Sequence, residues 1–416
     1  IQALFSDGSF TKLASGVTED RIRQLEERVQ DADGYFVNKD VFLEELDLAR
    51  SLLKNDTSKL GRVVNEIQSR NTKGDIKTIN TFQPLGAVAQ AGKQFLIYAS
   101  IPAGETVTLV PTQYFAEANA WTGESIQLRN GRNIVKVTTN SSVSPEKGGA
   151  LYIQYSGTRE KDIVLQLRGE VTKIPMLELS DRSLSESEKR QRISAYIEEL
   201  TSYVAALPTK NRSQAIRNST EISYPNVLLS LPADQALAGI KGEDSLYNSM
   251  LAWEQLLSVL YRTHGIDHPE NEHSRHNIRY ARMFSNAFMY ASGAHIGIGY
   301  GSAAGMVQGN PVEKTGKGNA NNLFGWGIAH EIGHVMDTLG KAEITNNIYS
   351  LFGQTYDGGS NALKSRLENS NKYEKIFQKT AIGAPGMAND VFASLGMYWQ
   401  LHLAYDDEND NFYNLV

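Results

Sequence analysis

The sequence contains no cysteine among its 416 residues. This absence excludes disulfide bonds, thiolate nucleophiles and every zinc site that depends on cysteine ligands. A reducing cytosol does not forbid cysteine, so a chain that has none favours an exported protein. We therefore expect a secreted or cell-surface location and a bacterial origin.

Long apolar runs are absent as well, since no stretch reaches the roughly 18–20 apolar residues that span a bilayer. No apolar segment led by Lys or Arg opens the chain, so a signal peptide is missing or has been removed. The formal net charge of −6 and the pI near 5.8 argue against a nucleic-acid-binding surface. The sequence therefore predicts neither a nucleic-acid partner nor a membrane span.

The length predicts two or three domains, each large enough to bury a core of its own. Residues 1–78 are predicted to form a small helical module or linker, with amphipathic stretches over 21–29 and 41–53. Residues 62–69 are the candidate for a third helix. The chain opens abruptly and stops just after a helix-like segment, so both ends are expected to be cuts from a longer protein.

Residues 79–175 change to a two-residue period with frequent turns. One of these turns is centred on Asn130-Gly131, the favoured pair for a two-residue hairpin loop. Short strands of this kind predict an antiparallel β-sandwich. Helical stripes return after residue 176, over 193–207, 246–261 and 391–405, with a strand candidate at 226–231.

The sequence His-Glu-x-x-His begins at His330. At about 100° per residue, two histidines four residues apart project from the same face of a helix. His330 and His334 can then bind one Zn²⁺ at about 2.0–2.1 Å. Glu331 points away from them but can reach a water at the metal, which is the position of a general base.

A match to this short pattern also occurs by chance in long chains, so its surroundings matter. An apolar stripe at helical spacing runs through Ile328, Ile332, Val335, Met336 and Leu339. Glycines precede the stripe, and Gly340 ends it. These features favour a helix that carries a metal site.

Two carboxylates compete to be the third ligand. Asp337 lies on the histidine face but one turn further along, where it suits a hydrogen-bonding partner of His334 better than a ligand. Glu343 would lie about 13 Å beyond His334 on an unbroken helix, so it can bind only if the chain turns back. Gly340 permits that turn, and a second helix would then begin at Glu343. The alternative is an ordinary solvated carboxylate at a helix start.

The motif Gly-Trp-Gly-x-x-His-Glu-x-Gly-His, followed by Glu-x-Thr-Asn-Asn after a short gap, resembles the enhancin-like gluzincin metallopeptidases. That family includes viral enhancins and bacterial mucin-degrading O-glycopeptidases. The resemblance runs from about Leu85 to the C-terminus and is specific only in the motif. It implies one Zn²⁺ per chain held by His330, His334 and Glu343, with Glu331 as the catalytic base.

A residue that stabilises the oxyanion is also expected, and Tyr349, Tyr300 and His295 are the candidates. Gly297 and Gly299 alternate with bulky residues, which suits an edge strand on which an extended substrate lies. A plain glycine-rich core strand is the alternative.

Trp326 lies four residues before His330 and could present a flat apolar face to a sugar, although a core position suits a tryptophan equally well.

Together these features predict a multidomain α+β protein. It has a helical module (1–78), an antiparallel β-sandwich domain (79–175) and a mainly helical zincin-like catalytic domain with a small mixed sheet (176–416), cut short at its C-terminus. The predicted function is a secreted zinc endopeptidase that cuts O-glycosylated, mucin-type proteins. The alternatives are a gluzincin without a glycan requirement and a non-catalytic module that binds glycans.

Overall fold

The structure is a computed structural model. It describes residues 1–32, 34, 37–69, 81–116, 121–139, 146–159, 162–266, 275–284, 286–292, 295–312, 322–356, 366–369, 372–381 and 390–405. The chain groups into two compact units. The first comprises Ile1–Arg70, Phe82–Tyr114 and Ala120–Lys173, and the second comprises Asn71–Thr81, Phe115–Asn119 and Ile174–Val416. The division into three domains that the sequence suggests stays a prediction.

Two antiparallel sheets form the body of the first unit. Its elements are α1 (Glu19–Gln30), α2 (Lys39–Leu53), β1 (Arg62–Val64), β2 (Gln83–Gln90), β3 (Gln94–Ser100), β4 (Val107–Pro111), β5 (Ile126–Gln127), β6 (Gly131–Lys136), β7 (Gly148–Tyr155), β8 (Val164–Gly169) and β9 (Val171–Lys173). The strand orders are β1-β8-β3-β6 and β5-β4-β7-β2-β9. Side chains of both sheets, such as Ile97 and Ile153, share one apolar core. The predicted antiparallel sheets are therefore confirmed.

The helices of this unit cover the other face of the four-stranded sheet. Ile22 of α1 and Leu46 of α2 pack with Leu96 and Tyr98 of β3, so this strand is buried on both faces. The third helix expected over 62–69 is wrong. Residues 62–64 pair with β8 instead, because a long-range strand pairing outweighs a weak local helical pattern.

The second unit is built around a six-stranded mixed sheet. Its elements are β10 (Met176–Glu178), α3 (Glu186–Ala206), β11 (Thr220–Ser223), β12 (Val227–Leu231), α4 (Ala233–Gly239), α5 (Glu243–Thr263), β13 (His276–Tyr280), β14 (Met289–Ser292), β15 (His295–Ile298), α6 (Trp326–Met336), α7 (Asn346–Tyr356), α8 (Arg366–Asn369), α9 (Lys372–Ala381) and α10 (Val391–Tyr405). The strand order is β10-β11-β12-β13-β15-β14. The predicted helices over 193–207, 246–261 and 391–405 and the predicted strand over 226–231 correspond to α3, α5, α10 and β12.

The largest core of the chain lies in this unit. Trp253 and Leu256 of α5 are fully buried and share that core with Ile328 and Ile332 of α6. The helix that carries the His-Glu-x-x-His motif is therefore fixed by packing on its apolar side. Among the described helices, none is long and apolar enough to cross a bilayer.

Candidate metal centre

Helix α6 presents the two histidines of the motif from one face. Ile328, Ile332 and Met336 are buried on the opposite side, as the helical spacing predicts. The helix ends at Met336, because Asp337 has extended backbone and donates its N–H to Gly333 O at 2.7 Å. Leu339 was expected in the buried stripe, but it lies past this end and is 43% exposed.

The chain turns back immediately after α6. Gly340 has a φ of +73°, so it adopts the left-handed conformation that glycine accepts without strain. The Asp337 carboxylate accepts hydrogen bonds from the Thr345 hydroxyl at 2.5 Å and from Leu339 N–H at 2.9 Å. These bonds close the loop between α6 and α7.

Glu343 lies inside this loop, with a φ of +64° that is rare for a residue with a side chain. The second helix was expected to begin at Glu343. It begins instead at Asn346, so the carboxylate projects from the turn that precedes α7.

Three donor atoms converge where this turn meets the histidine face. His330 Nε2 and His334 Nε2 lie 3.2 Å apart. Each also approaches a Glu343 carboxylate oxygen, His330 at 3.4 Å and His334 at 3.2 Å. Neighbouring ligand atoms of a tetrahedral zinc ion lie about 3.3–3.4 Å apart when the bonds are about 2.0–2.1 Å long. The three atoms therefore have the spacing of three corners of such a site. In the described part of the chain, these residues form the one group of three potential metal ligands.

The electrostatics of the triangle also favour a cation at its centre. Burial lowers the pKa of His334, and the neighbouring His330 lowers it further, which outweighs the opposing effect of Glu343. A proton is therefore held poorly by His334, although two nitrogens and a carboxylate converge there. A divalent ion satisfies all three groups at once, and two imidazoles with one carboxylate suit zinc.

Glu331 lies beside the triangle and is only 7% exposed. Burial raises the pKa of its carboxyl to about 7, and the negative charge of Glu343 contributes to the rise. The Ala291 N–H of β14 donates a hydrogen bond to this carboxylate, which partly opposes the shift. A carboxyl group with this pKa can both accept and release a proton near neutral pH.

These groups share one cleft of about 520 Å³. Its walls are formed by Phe284, Ala287, Met289, Tyr290, Ala291, Ser292, His330, Glu331, His334, Val335 and Glu343. Strand β14 supplies one whole side, and it is the last strand of the sheet. The sequence assigned the edge to the glycine-rich strand β15, which is wrong because β15 lies between β13 and β14.

The glycines of β15 have a packing role. Gly297 pairs with Tyr290 across the strands, and a Cβ on Gly297 would lie only 2.2 Å from the Tyr290 ring. Gly299 faces Met283, at 3.2 Å from the position of its missing Cβ. Gly297 therefore makes room for the ring of Tyr290, the tyrosine that lines the cleft, and neither glycine lines the cleft itself.

None of the three residues expected to stabilise an oxyanion lines this cleft. The Tyr300 hydroxyl donates to Asp234. The Tyr349 hydroxyl lies 2.9 Å from His264 Nδ1 and faces a separate pocket of about 130 Å³. His295 is buried on β15, and its Nε2 lies 3.2 Å from the hydroxyl of Tyr290. Burial lowers the pKa of His295 to about 2, so this ring is neutral.

Two further expectations need correction. Asp337 was expected to bond to His334, but its carboxylate accepts from Thr345 and Leu339 and so closes the loop. Trp326 stays half-buried at the start of α6, where its ring contacts Phe392 edge-on and lies 4.9 Å below the Arg366 guanidinium. The core alternative for Trp326 is therefore correct, and its ring does not line the cleft.

Sequence reasoning also missed two buried asparagines at the start of α7. Asn347 Oδ1 lies 2.6 Å from His330 Nδ1, and its Nδ2 donates to Glu343 O at 2.7 Å. Asn346 Nδ2 lies 3.1 Å from His334 Nε2 and 3.3 Å from His330 O. The available signal was their position three and four residues after Glu343, which is one helical turn.

Comparison with known proteins is consistent with this geometry. The family model described as peptidase M60, enhancin and enhancin-like, matches residues 213–414. No curated protein matches the chain.

Several solved structures share the fold. A structure of Clostridium perfringens ZmpB with two CBM32 domains and the M60 catalytic domain has a TM-score of 0.69 at 23% identity, covering 96% of this chain and 41% of that chain. The M60 catalytic domain of Clostridium perfringens ZmpC, in complex with the sialyl T antigen, has a TM-score of 0.63 at 23% identity, covering 85% and 68%. A metallopeptidase from Bacteroides thetaiotaomicron has a TM-score of 0.66 at 16% identity, covering 97% and 63%.

This chain spans about two fifths of the ZmpB structure and less than two thirds of the Bacteroides structure. At these identities, the structural likeness establishes the fold and leaves the family to the sequence match. From that match, residues 213–414 of this chain belong to the enhancin and enhancin-like peptidases of family M60.

Proposed function

We propose that this chain is a zinc-dependent endopeptidase in which His330, His334 and Glu343 hold the metal and Glu331 is the general base. The carrying observation is the convergence of three donor atoms, 3.2–3.4 Å apart, beside a buried carboxyl in one cleft. A zinc ion held there supplies a Lewis acid for polarising a peptide carbonyl and for activating water.

Glu331 moves the proton in this proposal. Its carboxylate takes a proton from the attacking water and later returns it to the leaving amine. The raised pKa supports both halves of this transfer, because the protonated and ionised forms are close in free energy near pH 7. The bond from the Ala291 N–H holds the carboxylate against β14, so it faces the cleft in a defined orientation.

Strand β14 offers a place for the substrate backbone. It forms one wall of the cleft, and an extended peptide can pair with the edge of a sheet through main-chain hydrogen bonds. A peptide in that position lies alongside both Glu331 and the histidine face of α6. This arrangement supports cleavage within a chain rather than at a terminus.

We further propose that the substrate carries an O-glycan next to the cut, as in mucin-type glycoproteins. The support comes from the family and from one relative, the ZmpC catalytic domain, which was solved in complex with the sialyl T antigen. The exposed ring of Phe284 adds to it, since this ring lines the cleft and is 52% exposed. It offers the flat apolar surface that the sequence assigned to Trp326. Such substrates lie outside cells, which fits a secreted or cell-surface protein.

The test compares one peptide with and without a single O-glycan on a Ser or Thr beside the cut. A sugar bound in the cleft would position the scissile bond through binding energy away from the reacting atoms. We expect the glycosylated peptide to have a kcat/KM at least about 100-fold higher, or about 2.7 kcal/mol of transition-state stabilisation. The Glu331→Gln variant, prepared in parallel, controls for a contaminating protease.

Other outcomes separate the alternatives. Comparable cleavage of both peptides would leave a gluzincin without a glycan requirement. Binding of the glycopeptide without cleavage would indicate a non-catalytic module. Phe284→Ala should lower kcat/KM for the glycopeptide, whereas Phe377→Ala should not, because Phe377 is 69% exposed on α9 and does not line the cleft.

A further inference from the structure

Asn347 connects two of the three proposed ligands. It is only 3% exposed, at the start of α7. Its Oδ1 lies 2.6 Å from Nδ1 of His330, and its Nδ2 lies 2.7 Å from the main-chain oxygen of Glu343. One side-chain amide therefore touches the ring of one ligand and the backbone of another.

The Glu343 carbonyl determines which way this amide faces. A carbonyl oxygen can only accept a hydrogen bond, so the group that faces it must be the Nδ2 donor. The opposite orientation would place two oxygens 2.7 Å apart and leave both without a donor. The Oδ1 atom must therefore face the His330 ring.

This orientation in turn determines the tautomer of His330. Because Oδ1 is an acceptor, the ring nitrogen 2.6 Å away from it must carry the hydrogen. With the hydrogen on Nδ1, the lone pair is on Nε2, the atom that points at His334 and Glu343. The Asn346 amide, 3.2 Å from the same Nδ1, cannot donate to it and bonds to His330 O instead.

We infer that Asn347 is a positioning residue that selects the metal-binding tautomer of His330 and ties that ring to the backbone of Glu343. This inference rests on the proposed zinc site. A ring without this partner is free to populate the other tautomer, in which a hydrogen occupies the nitrogen needed for the metal. Removing such a partner of a metal-binding histidine costs about 10–100-fold in metal affinity.

The test measures the zinc dissociation constant of the full chain by competition with a chromophoric chelator. Asn347→Ala removes both bonds, and we expect its dissociation constant to rise about 10–100-fold. Asn347→Asp keeps the acceptor for His330 Nδ1 but loses the donor to Glu343 O. We therefore expect it to bind zinc more tightly than Asn347→Ala and more weakly than the wild type.

Asn277→Ala is the matched control. Asn277 is also a buried asparagine in this unit, 1% exposed, and its Nδ2 donates to Leu228 O and Ser230 Oγ at 3.1 and 3.0 Å. Its removal should lower the melting temperature and leave the zinc dissociation constant within about twofold of the wild-type value.

A second readout follows the tautomer directly. In the full chain labelled with ¹⁵N-histidine and stripped of metal, long-range ¹H–¹⁵N spectra identify which His330 nitrogen carries the hydrogen. We expect Nδ1–H in the wild type and in Asn347→Asp, and a mixture of tautomers in Asn347→Ala. A purely structural role for Asn347 would not change this assignment.

The outcomes distinguish the two levels of the proposal. If the wild type binds less than about half an equivalent of zinc, the metal site itself is wrong. If the wild type binds one equivalent and Asn347→Ala binds equally tightly, the role of Asn347 is wrong while the metal site stands. If Asn347→Ala fails to fold, Asn347→Asp decides, and a wild-type affinity together with a mixture of tautomers would overturn the inference.

Discussion

Gly333 controls how closely the two helices of the metal centre approach each other. It lies in α6 between the metal-site histidines, and a Cβ built on it would lie 2.3 Å from Asn346 O, at the start of α7. The nearby Asn346 carbon atoms lie at 3.0 and 3.2 Å. All three atoms belong to the backbone, so no side-chain rotation can relieve the overlap. We expect Gly333→Ala to push the start of α7, and with it Glu343, away from α6.

The magnitude follows from the contact distance. Restoring a normal separation of about 3.3 Å requires a shift of roughly 1 Å, and overpacking of this kind typically costs about 1–3 kcal/mol. Alanine recovers about 1 kcal/mol relative to glycine within a helix. The net loss of stability is therefore expected at about 0–2 kcal/mol. Zinc affinity should suffer more, with a rise in the dissociation constant of at least about tenfold, because the shift separates Glu343 from the two histidines.

Gly353→Ala provides the matched comparison, since Gly353 is a helix-interior glycine of α7. The nearest atoms to its added Cβ would be side-chain carbons, Ala329 Cβ at 3.3 Å and Leu256 Cδ1 at 3.4 Å. This variant should keep wild-type zinc affinity and unfold within about 1 kcal/mol of the wild type. Urea unfolding and chelator competition measure both quantities. Equal zinc affinity of Gly333→Ala and Gly353→Ala would refute the argument that close helix approach sets the ligand geometry.

Three further predictions concern the charged groups. Glu331→Gln should abolish peptide cleavage while zinc content by elemental analysis stays at one equivalent, because the amide keeps the shape but cannot accept a proton; retained cleavage would remove Glu331 as the base. In metal-free protein the folded-state pKa of Glu331 is raised from 4.5 to about 7, so its stability contribution is complete below about pH 4.5 and lost as pH rises through 7. The unfolding free energy of the wild type relative to Glu331→Gln should therefore fall by about 3 kcal/mol over that range in urea titrations, and a flat difference would contradict the shift. Glu343→Ala should lose bound zinc during dialysis while its circular dichroism stays unchanged, since the side chain is 59% exposed and supports no core; full zinc retention would exclude Glu343 as a ligand.

The sequence by itself determined the features that depend on neighbours along the chain. The shared face of His330 and His334 follows from a spacing of four residues on a helix, and the buried stripe beneath them identified that helix. The alternating pattern over 79–175 identified antiparallel strands in the same way. Composition excluded cysteine chemistry without any knowledge of the fold. Each of these inferences needs only the period of the local backbone.

The tertiary structure decided which groups meet the histidine face from elsewhere. Glu343 reaches it through a turn held by Asp337 and Thr345, and no local period specifies such a turn. The Ala291 N–H reaches Glu331 because β14, rather than the glycine-rich β15, occupies the edge of the sheet. Strand order is a property of long-range pairing, so it could not be read from the alternation of residues within one strand.

The same distinction explains the residues that were misplaced. Trp326 and Tyr349 are close to the ligands in sequence, but their side chains turn toward Phe392 and His264. Proximity along a helix fixes the direction of a side chain only relative to its own axis. Whether that direction leads to a cleft or into a core depends on the elements packed against the helix, and only the tertiary structure supplies them.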